Sequence, residues 1–268
     1  MQNGYYQAVG GMVAQFNRLD TISNNLANTN TSAYKRDDVV IGDFMNILKN
    51  QRDELPLENN TKDAAKFLNR SLDRVPHIVR NYTDFSLGAM KKTDNPLDIA
   101  LTRSDRFFLV QTDSGIKMTQ DGTFTLNKKG ELVTKDGFKV IGANYFQNKQ
   151  PITIPANSTI AVSSNGTIFA DNEEVGKLYI AKYNNNLSNL KKDGDNLYNI
   201  ENLNDISISN DGNFVAQGYI QTSNINPVKE MVALIETNRL VEMYQKAMTS
   251  QMNDLNSDAI NKIANTRA

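Results

Sequence analysis

Cysteine is missing from all 268 residues of this chain. That excludes disulfides, thiolate metal sites and cysteine nucleophiles. Tryptophan is also absent, and histidine occurs once, as His77. A histidine-based metal cluster is therefore impossible, and His77, following Pro76, reads as a surface or packing residue. No long hydrophobic run exists in the C-terminal part: its longest apolar stretch, Met231 to Ile235, falls far short of the ~20 residues a membrane span needs. Neither sign of charge dominates, since the formal net charge is −1. A bulk nucleic-acid or membrane-surface partner has no electrostatic footprint here. Residues 1–4, Met-Gln-Asn-Gly, lack a positive n-region and an apolar h-region, so no cleaved Sec leader is expected. Neither a GxSxG elbow, a phosphate-binding glycine loop nor a GxGxxG fingerprint occurs.

What is present is helical periodicity at both ends. Tyr5, Val9, Met12, Phe16, Leu19, Ser23 and Leu26 recur at alternating steps of four and three. Leu234, Val241, Met248 and Leu255 recur at sevens, flanked by Met231, Tyr244, Met252 and Ala259. Such spacing draws one apolar stripe along each helix, the pattern used for lengthwise helix packing. The first helix is predicted over 3–29 and the second over about 228–264, with Pro227 in its first turn and Glu230 early, as the helix dipole favours. Gly4, Gly10 and Gly11 each cost up to ~1 kcal/mol in a helix interior. Gly4, Ala8 and Gly11 share a face, where small side chains let a neighbouring backbone approach closely. These stripes point to assembly rather than catalysis.

Between the helices the period changes. Residues 31–85 read as an extended or irregular connection: Val39 to Leu48 suits a short strand or an amphipathic helix, and Asp53 to Arg70 carries a weak helical pattern broken by Pro56. From 86 to 222 short alternating stretches predict strands at Leu97–Thr102, Phe124–Leu126 and Ile152–Ile154, with an apolar run at Phe107–Val110. Asp121-Gly122, Lys129-Gly130, Asp136-Gly137, Asn165-Gly166 and Asp211-Gly212 punctuate them, glycine supplying the positive φ of tight turns. The predicted fold is α+β: long terminal helices (1–30 and 223–268) forming a coiled-coil domain around a central antiparallel all-β domain at 86–222.

Candidate chemistry is sparse. The carboxylate pairs Asp37-Asp38, Asp53-Glu54 and Glu173-Glu174 are the residue types general acid–base work needs. Neighbours on a strand or loop point apart, however, and a solvated surface explains them better. Asp193-Gly194-Asp195-Asn196 has a calcium-loop flavour without the closing acidic ligand, so a turn is expected. The basic pairs are scattered rather than striped. No catalytic residue, metal site or cofactor is expected.

Three stretches resemble the axial proteins of the bacterial flagellum, the family of rod and hook subunits. The first is Ser23, Asn24, Asn25, Leu26, Ala27 and Asn28, followed by Asn30, Thr31, Tyr34 and Lys35. It is similar to the family's S-N-N-[LI]-A-N core and its N-T-x-x-aromatic-[KR] sequel. The second, Asn95, Pro96, Leu97 and Asp98, with Phe107-Phe108 and Thr119 to Phe124, resembles the segments that open the family's β-domain. The third, Ser223, Asn224, Ile225 and Asn226, resembles the start of its C-terminal helix. Ala33 stands where the family has glycine, so that turn is expected to be built differently. Ser104-Asp105-Arg106 replaces a glycine-rich lead, and a different loop is expected there.

The resemblance implies a non-enzymatic structural subunit of the basal-body rod, joined through its terminal helices to copies of itself and to other axial proteins. It also implies passage through the flagellar type III export apparatus without a cleaved signal, and residence in the rod crossing the periplasm. Tyr5, Val9, Met12, Phe16, Leu19, Leu26, Leu234, Val241, Met248 and Leu255 are then the expected assembly residues. The segment Asn226 to Met231 favours a proximal over a distal rod position. The competing readings are a secreted coiled-coil scaffold or adhesin, and a β-domain enzyme with helical arms.

Overall fold

A computed structural model describes residues 2–42, 77–200, 202–208 and 212–265. The chain divides into two compact units: residues 1–27, 37–82 and 226–268 form one, and residues 28–36 and 83–225 the other.

The first unit is a helix pair. Helix α1 runs Gln2–Ala27 and helix α3 runs Pro227–Asn265, within two residues of the limits read from periodicity. Asn226 starts α3: its Oδ1 accepts from the backbone N–H groups of Val228 and Lys229 at 3.1 and 3.2 Å, satisfying donors left open at a helix N-terminus. Pro227 follows in the position where a missing N–H costs nothing.

The two helices pack antiparallel in one unbroken register. Gly4 meets Gln251, Gly11 meets Tyr244, and Asn25 meets Glu230, so every advance on α1 is matched by an equal retreat on α3. The face that α1 buries consists of Ala8, Gly11, Ala14, Gln15, Ile22 and Asn25. Here the small residues are structural. A Cβ on Gly11 would lie 2.4 Å from Tyr244 Cε1, so only glycine admits that ring. The same unit holds, up to Tyr82, a paired ribbon of β1 (Asp37–Gly42) and β2 (His77–Thr83). The strand alternative for Val39 onward is therefore the observed one as far as Gly42. Residues 43–76, including Asp53-Glu54 and the pattern around Pro56, lie outside the described residues.

The second unit is antiparallel β-structure. Its largest sheet runs β14-β6-β5-β9-β8-β7, with β13 and β15 added beside β5. Those strands are β5 (Arg106–Thr112), β6 (Gly115–Thr119), β7 (Phe124–Leu126), β8 (Leu132–Thr134), β9 (Lys139–Val140), β13 (Ile180–Tyr183), β14 (Leu197–Asn199) and β15 (Ile206–Ile208). A three-stranded sheet joins β10 (Ile160–Val162), β11 (Thr167–Ala170) and β12 (Glu173–Lys177). Two ribbons pair β16 (Val215–Gln217) with β4 (Ile99–Leu101), and β17 (Tyr219–Gln221) with β3 (Met90–Lys92). A one-turn helix, α2, covers Tyr145–Asn148.

Strand β5 explains its own apolar run. Side chains alternate across a strand, and β5 sends Phe108 and Val110 into one core and Phe107 and Leu109 into another. Buried on both faces, it shows no polar alternation. The same cause corrects the half-buried reading of Leu97–Thr102: Ile99, Ala100 and Leu101 are all buried. Ile152–Ile154 is also corrected. Ile152 and Ile154 are buried and Thr153 is exposed, but the segment makes one isolated bridge, Thr153 to Glu131, and no strand. Alternating burial needs only one wall, whereas a strand needs a bonded neighbour along its length.

Four turn glycines do carry positive φ: Gly130, Gly137, Gly166 and Gly212. Gly122 does not, and its reason is different. A Cβ there would sit 1.7 Å from the Ile99 carbonyl oxygen, and the Gly122 oxygen accepts from Ile99 N–H at 2.9 Å. Close backbone approach, rather than turn conformation, requires that glycine.

Candidate assembly interface

The motif stretches take their meaning from where they fold. Asn25 is fully buried within the helix-pair unit. Its amide spans both backbone groups of Asp37: Nδ2 donates to Asp37 O at 2.7 Å and Oδ1 accepts from Asp37 N–H at 3.0 Å. Nδ2 also reaches Glu230 Oε2 at 3.4 Å. Glu230, expected only to complement the helix dipole, is a buried partner of Asn25, 205 residues away. Such a bond fixes helix register because a slip would leave buried polar groups unpaired.

In the β-rich unit a second knot forms around Lys35 and Asn224. Asn224 Oδ1 accepts from Arg36 N–H at 2.8 Å, while its Nδ2 donates to Asp84 O at 2.8 Å and to Ser86 Oγ at 3.0 Å. The Asp84 N–H in turn donates to Arg36 O at 2.8 Å. Lys35 is buried, its Nζ donating to Ser86 O at 3.0 Å. With its amide set to satisfy both neighbours, Gln221 Oε1 accepts from Lys35 Nζ and from Gly88 N–H, each at 3.2 Å. The Lys35 pKa is lowered to about 8, chiefly by burial, with Asp84 pulling the other way and Lys192 adding to the lowering. The Lys192 ammonium donates to Lys35 O and lies 4.0 Å from the Tyr34 ring centroid.

Ala33 is the correction in this knot. It adopts the left-handed conformation, φ 55°, and is buried, with its N–H donating to Gln221 O at 2.8 Å. The turn keeps a glycine-type backbone, and alanine carries the strain. The other motif residues build turns. Thr31 Oγ1 donates to Asn28 Oδ1 at 3.1 Å. Asn95 Oδ1 accepts from Leu97 N–H while its Nδ2 donates to Asp98 Oδ1, closing a turn around exposed Pro96. Ser223 Oγ accepts from Ile225 N–H at 3.3 Å. Ser23, Asn24, Ala27 and Asn30 are exposed.

Beside the knot, in the same unit, a polar cavity of ≈ 650 Å³ is lined by residues including Asn28, Asn30, Thr31, Tyr34, Asp121 and Asn196. Burial raises the Asp121 pKa, opposed by hydrogen bonds from Thr123 Oγ1 and N–H. Gly194, Asp195 and Asn196 all take positive φ, forming a turn. Among the described residues no group of three or more acidic or histidine side chains could hold a metal ion. Asp38 accepts from Val39 N–H and from Tyr82 Oη, while Glu173 and Glu174 are exposed. The loop at Ser104 differs from a glycine-rich lead by an ion-pair bracket, since the Asp105 carboxylate holds both Arg103 and Arg106.

The seam residues divide by burial. Val241 is buried in the helix pair; Tyr5, Val9, Met12, Leu19, Leu26, Leu234 and Met248 are half-buried; Phe16 is 43% exposed. Leu255 lies on α3, and its side chain is outside the described residues. Further apolar side chains are open to solvent: Tyr6 and Val13 on α1, and Val228, Met231, Val232, Ile235, Met243, Met252 and Ile260 on α3. Within the chain these side chains are left uncovered on both helices. Among the described residues no helix is long and apolar enough to cross a membrane.

Comparison with known proteins bears on the same segments. Residues 6–35 match the family model described as flagella basal body rod protein. Residues 103–170 match the D1 domain of flagellar hook protein FlgE/F/G, and residues 216–261 match the C-terminal part of flagellar basal body rod FlgEFG protein. The chain is 31% identical over 253 residues to the flagellar basal-body rod protein FlgG of Buchnera aphidicola, covering 90% of this chain and 92% of that one. It is 30% identical over 265 residues to the flagellar basal-body rod protein FlgF of Caulobacter vibrioides, covering 98% of both. The flagellar hook-basal body complex protein FlhO of Bacillus subtilis is 28% identical over 278 residues.

Proposed function

This chain belongs to the flagellar basal-body rod protein family, as a structural rather than enzymatic subunit of the rod, and we propose that its terminal helices polymerise it into the proximal segment of the drive shaft. Membership implies assembly with rod proteins. The single observation that carries the mechanism is the helix pair, with register fixed inside the chain and apolar side chains left outside. Burying a Leu- or Phe-sized side chain is worth ~1.5–3 kcal/mol, so a row of such contacts outweighs the glycine penalty of α1 once copies meet. A contact repeated without closing yields a helical polymer.

The seam residues Tyr5 to Leu26 and Leu234 to Leu255 are the proposed joint. Neighbouring copies and other axial proteins are the proposed partners, with delivery through the type III export apparatus to the periplasmic rod. The proximal position rests on the segment Asn226 to Met231, whereas relatives named FlgF and FlgG both match the chain. Phe16 and Val241 now test different things. Phe16→Asp changes an exposed side chain and is expected to abolish polymerisation while leaving the helix pair folded. Val241→Asp strikes the buried face and is expected to break the pair itself. Locating the chain in an isolated basal body tests the position: density at the distal end would overturn the proximal assignment.

A further inference from the structure

Two apolar stripes on opposite helices share a spacing that the seam alone does not explain. Tyr6 and Val13, seven residues apart on α1, are 53% and 50% exposed. Val228 and Ile235, seven apart on α3, are 63% and 52% exposed. Tyr6 and Val13 each follow by two residues a glycine that faces α3, which places them about 200° around the helix from it. Val228 and Ile235 each precede by two residues a buried position, Glu230 or Thr237, on the face of α3 that meets α1. Both stripes therefore lie on the outer faces of the pair, away from the contact within the chain.

Resting on the polymer reading above, we infer that the α1 stripe of one copy packs antiparallel on the α3 stripe of a second copy, Tyr6 against Ile235 and Val13 against Val228. The occupant is a second copy because both halves of the contact are on this chain, with equal spacing and with continuity through the internal helix pair. Between the matched ends Val9 of the first copy falls opposite Val232 of the second, another half-exposed apolar position. The contact is heterologous, so each copy still offers its other stripe, and the row extends without closing on two.

Register gives the contact a length. Within one copy Gly11 is level with Tyr244, so Val13 is level with Glu242. Setting Val13 level with Val228 instead moves the second copy along the axis by two heptads, about 21 Å at 1.5 Å per residue. A shift of whole heptads keeps the facing stripes in phase, whereas other offsets rotate one of them away.

Because the chain has no cysteine, paired cysteines read this contact cleanly. Full-length Val13→Cys/Val228→Cys is oxidised after polymerisation, with Gly4→Cys/Gln251→Cys as the control for a contact within one chain. The expected result is a ladder of covalent oligomers and loss of the monomer band for the first variant, and a cross-linked monomer for the second. Val13→Cys alone is expected to stay monomeric under oxidation. Filaments seen by electron microscopy without a ladder would overturn this pairing while leaving the polymer reading intact. A disulfide dimer of Val13→Cys alone would overturn it as well, by showing a self-complementary contact. Failure of the unsubstituted chain to polymerise alone or on a rod template would overturn both readings.

Discussion

The two units of this protein solve the burial of apolar surface in opposite ways. The β-rich unit encloses its largest side chains, and β5 keeps Phe107, Phe108, Leu109 and Val110 wholly out of solvent. The helix pair spends its glycines and alanines on the contact within the chain and leaves Tyr6, Val13, Val228 and Ile235 outside. On α1 the small Ala8, Gly11 and Ala14 take the inner face while the larger Tyr6 and Val13 stay outside. The β-rich unit encloses its apolar side chains within the chain; the helix pair leaves a set of them uncovered.

Matched truncations give that contrast its largest expected effect. Phe108→Ala is expected to cost about 3–5 kcal/mol, because the core around it relaxes only in part. Ile235→Ala in the free chain is expected to change stability by no more than about 0.5 kcal/mol, as for an exposed side chain. Chemical denaturation of both variants checks the pair, and a large loss for Ile235→Ala would show that the stripe is covered within the monomer.

Proton linkage at the Lys35 knot comes next. Burial above all holds the Lys35 pKa at about 8, below the ordinary lysine value of 10.5, so the folded state disfavours the charged amine. The cost is full below pH 8, shrinks as pH rises, and is gone above the unfolded value. This site therefore adds stability between pH 8 and 10.5, amounting to roughly 3 kcal/mol at most. Thermal unfolding of the chain against Lys35→Met over that window checks the sign: the slope should flatten in the variant. A slope falling with pH and lost in Lys35→Met would contradict the assignment.

A smaller effect is expected inside the helix pair. Gly11→Leu forces atoms onto the Tyr244 ring and is expected to cost about 1–3 kcal/mol. Tyr244→Ala in the same chain should recover part of that loss, which a double-mutant cycle measures. Additive losses would mean that the two side chains do not meet.

The smallest effect is at Ala33. Relieving its left-handed backbone returns roughly 1–2 kcal/mol, partly offset by the added freedom of an unfolded glycine. Ala33→Gly is expected to stabilise the chain by about 0.5–1 kcal/mol in equilibrium unfolding, and destabilisation would show that the methyl group packs usefully.

Local signals carried the helices and most turns. Heptad spacing placed α1 and α3, and the shared face of Gly4, Ala8 and Gly11 already marked where a helix could come close. Spacing alone could not tell which stripe faced inward, because that depends on the partner: Tyr244 fits only against glycine, so the small face wins the internal contact. In the sequence Lys35 is a motif residue beside Arg36, with nothing local to mark it as buried. Its burial depends on Ser86 and Gln221, distant residues whose arrival no local pattern announces. Gly122 looked like a turn glycine because the close carbonyl of Ile99 comes from another strand. Ile152–Ile154 alternates because one side meets a core, and the missing ladder partner is invisible in the sequence. The Asn25–Glu230 bond was hidden for the same reason, although both residues stood in recognised segments.

The most direct test is a density map of the assembled rod that resolves α1 and α3 of adjacent copies. The account predicts that both helices of each copy touch helices of its neighbours, with the Tyr6–Val13 and Val228–Ile235 stripes covered. Helices that meet only within their own chain, with those stripes open to solvent in the assembled rod, would contradict it.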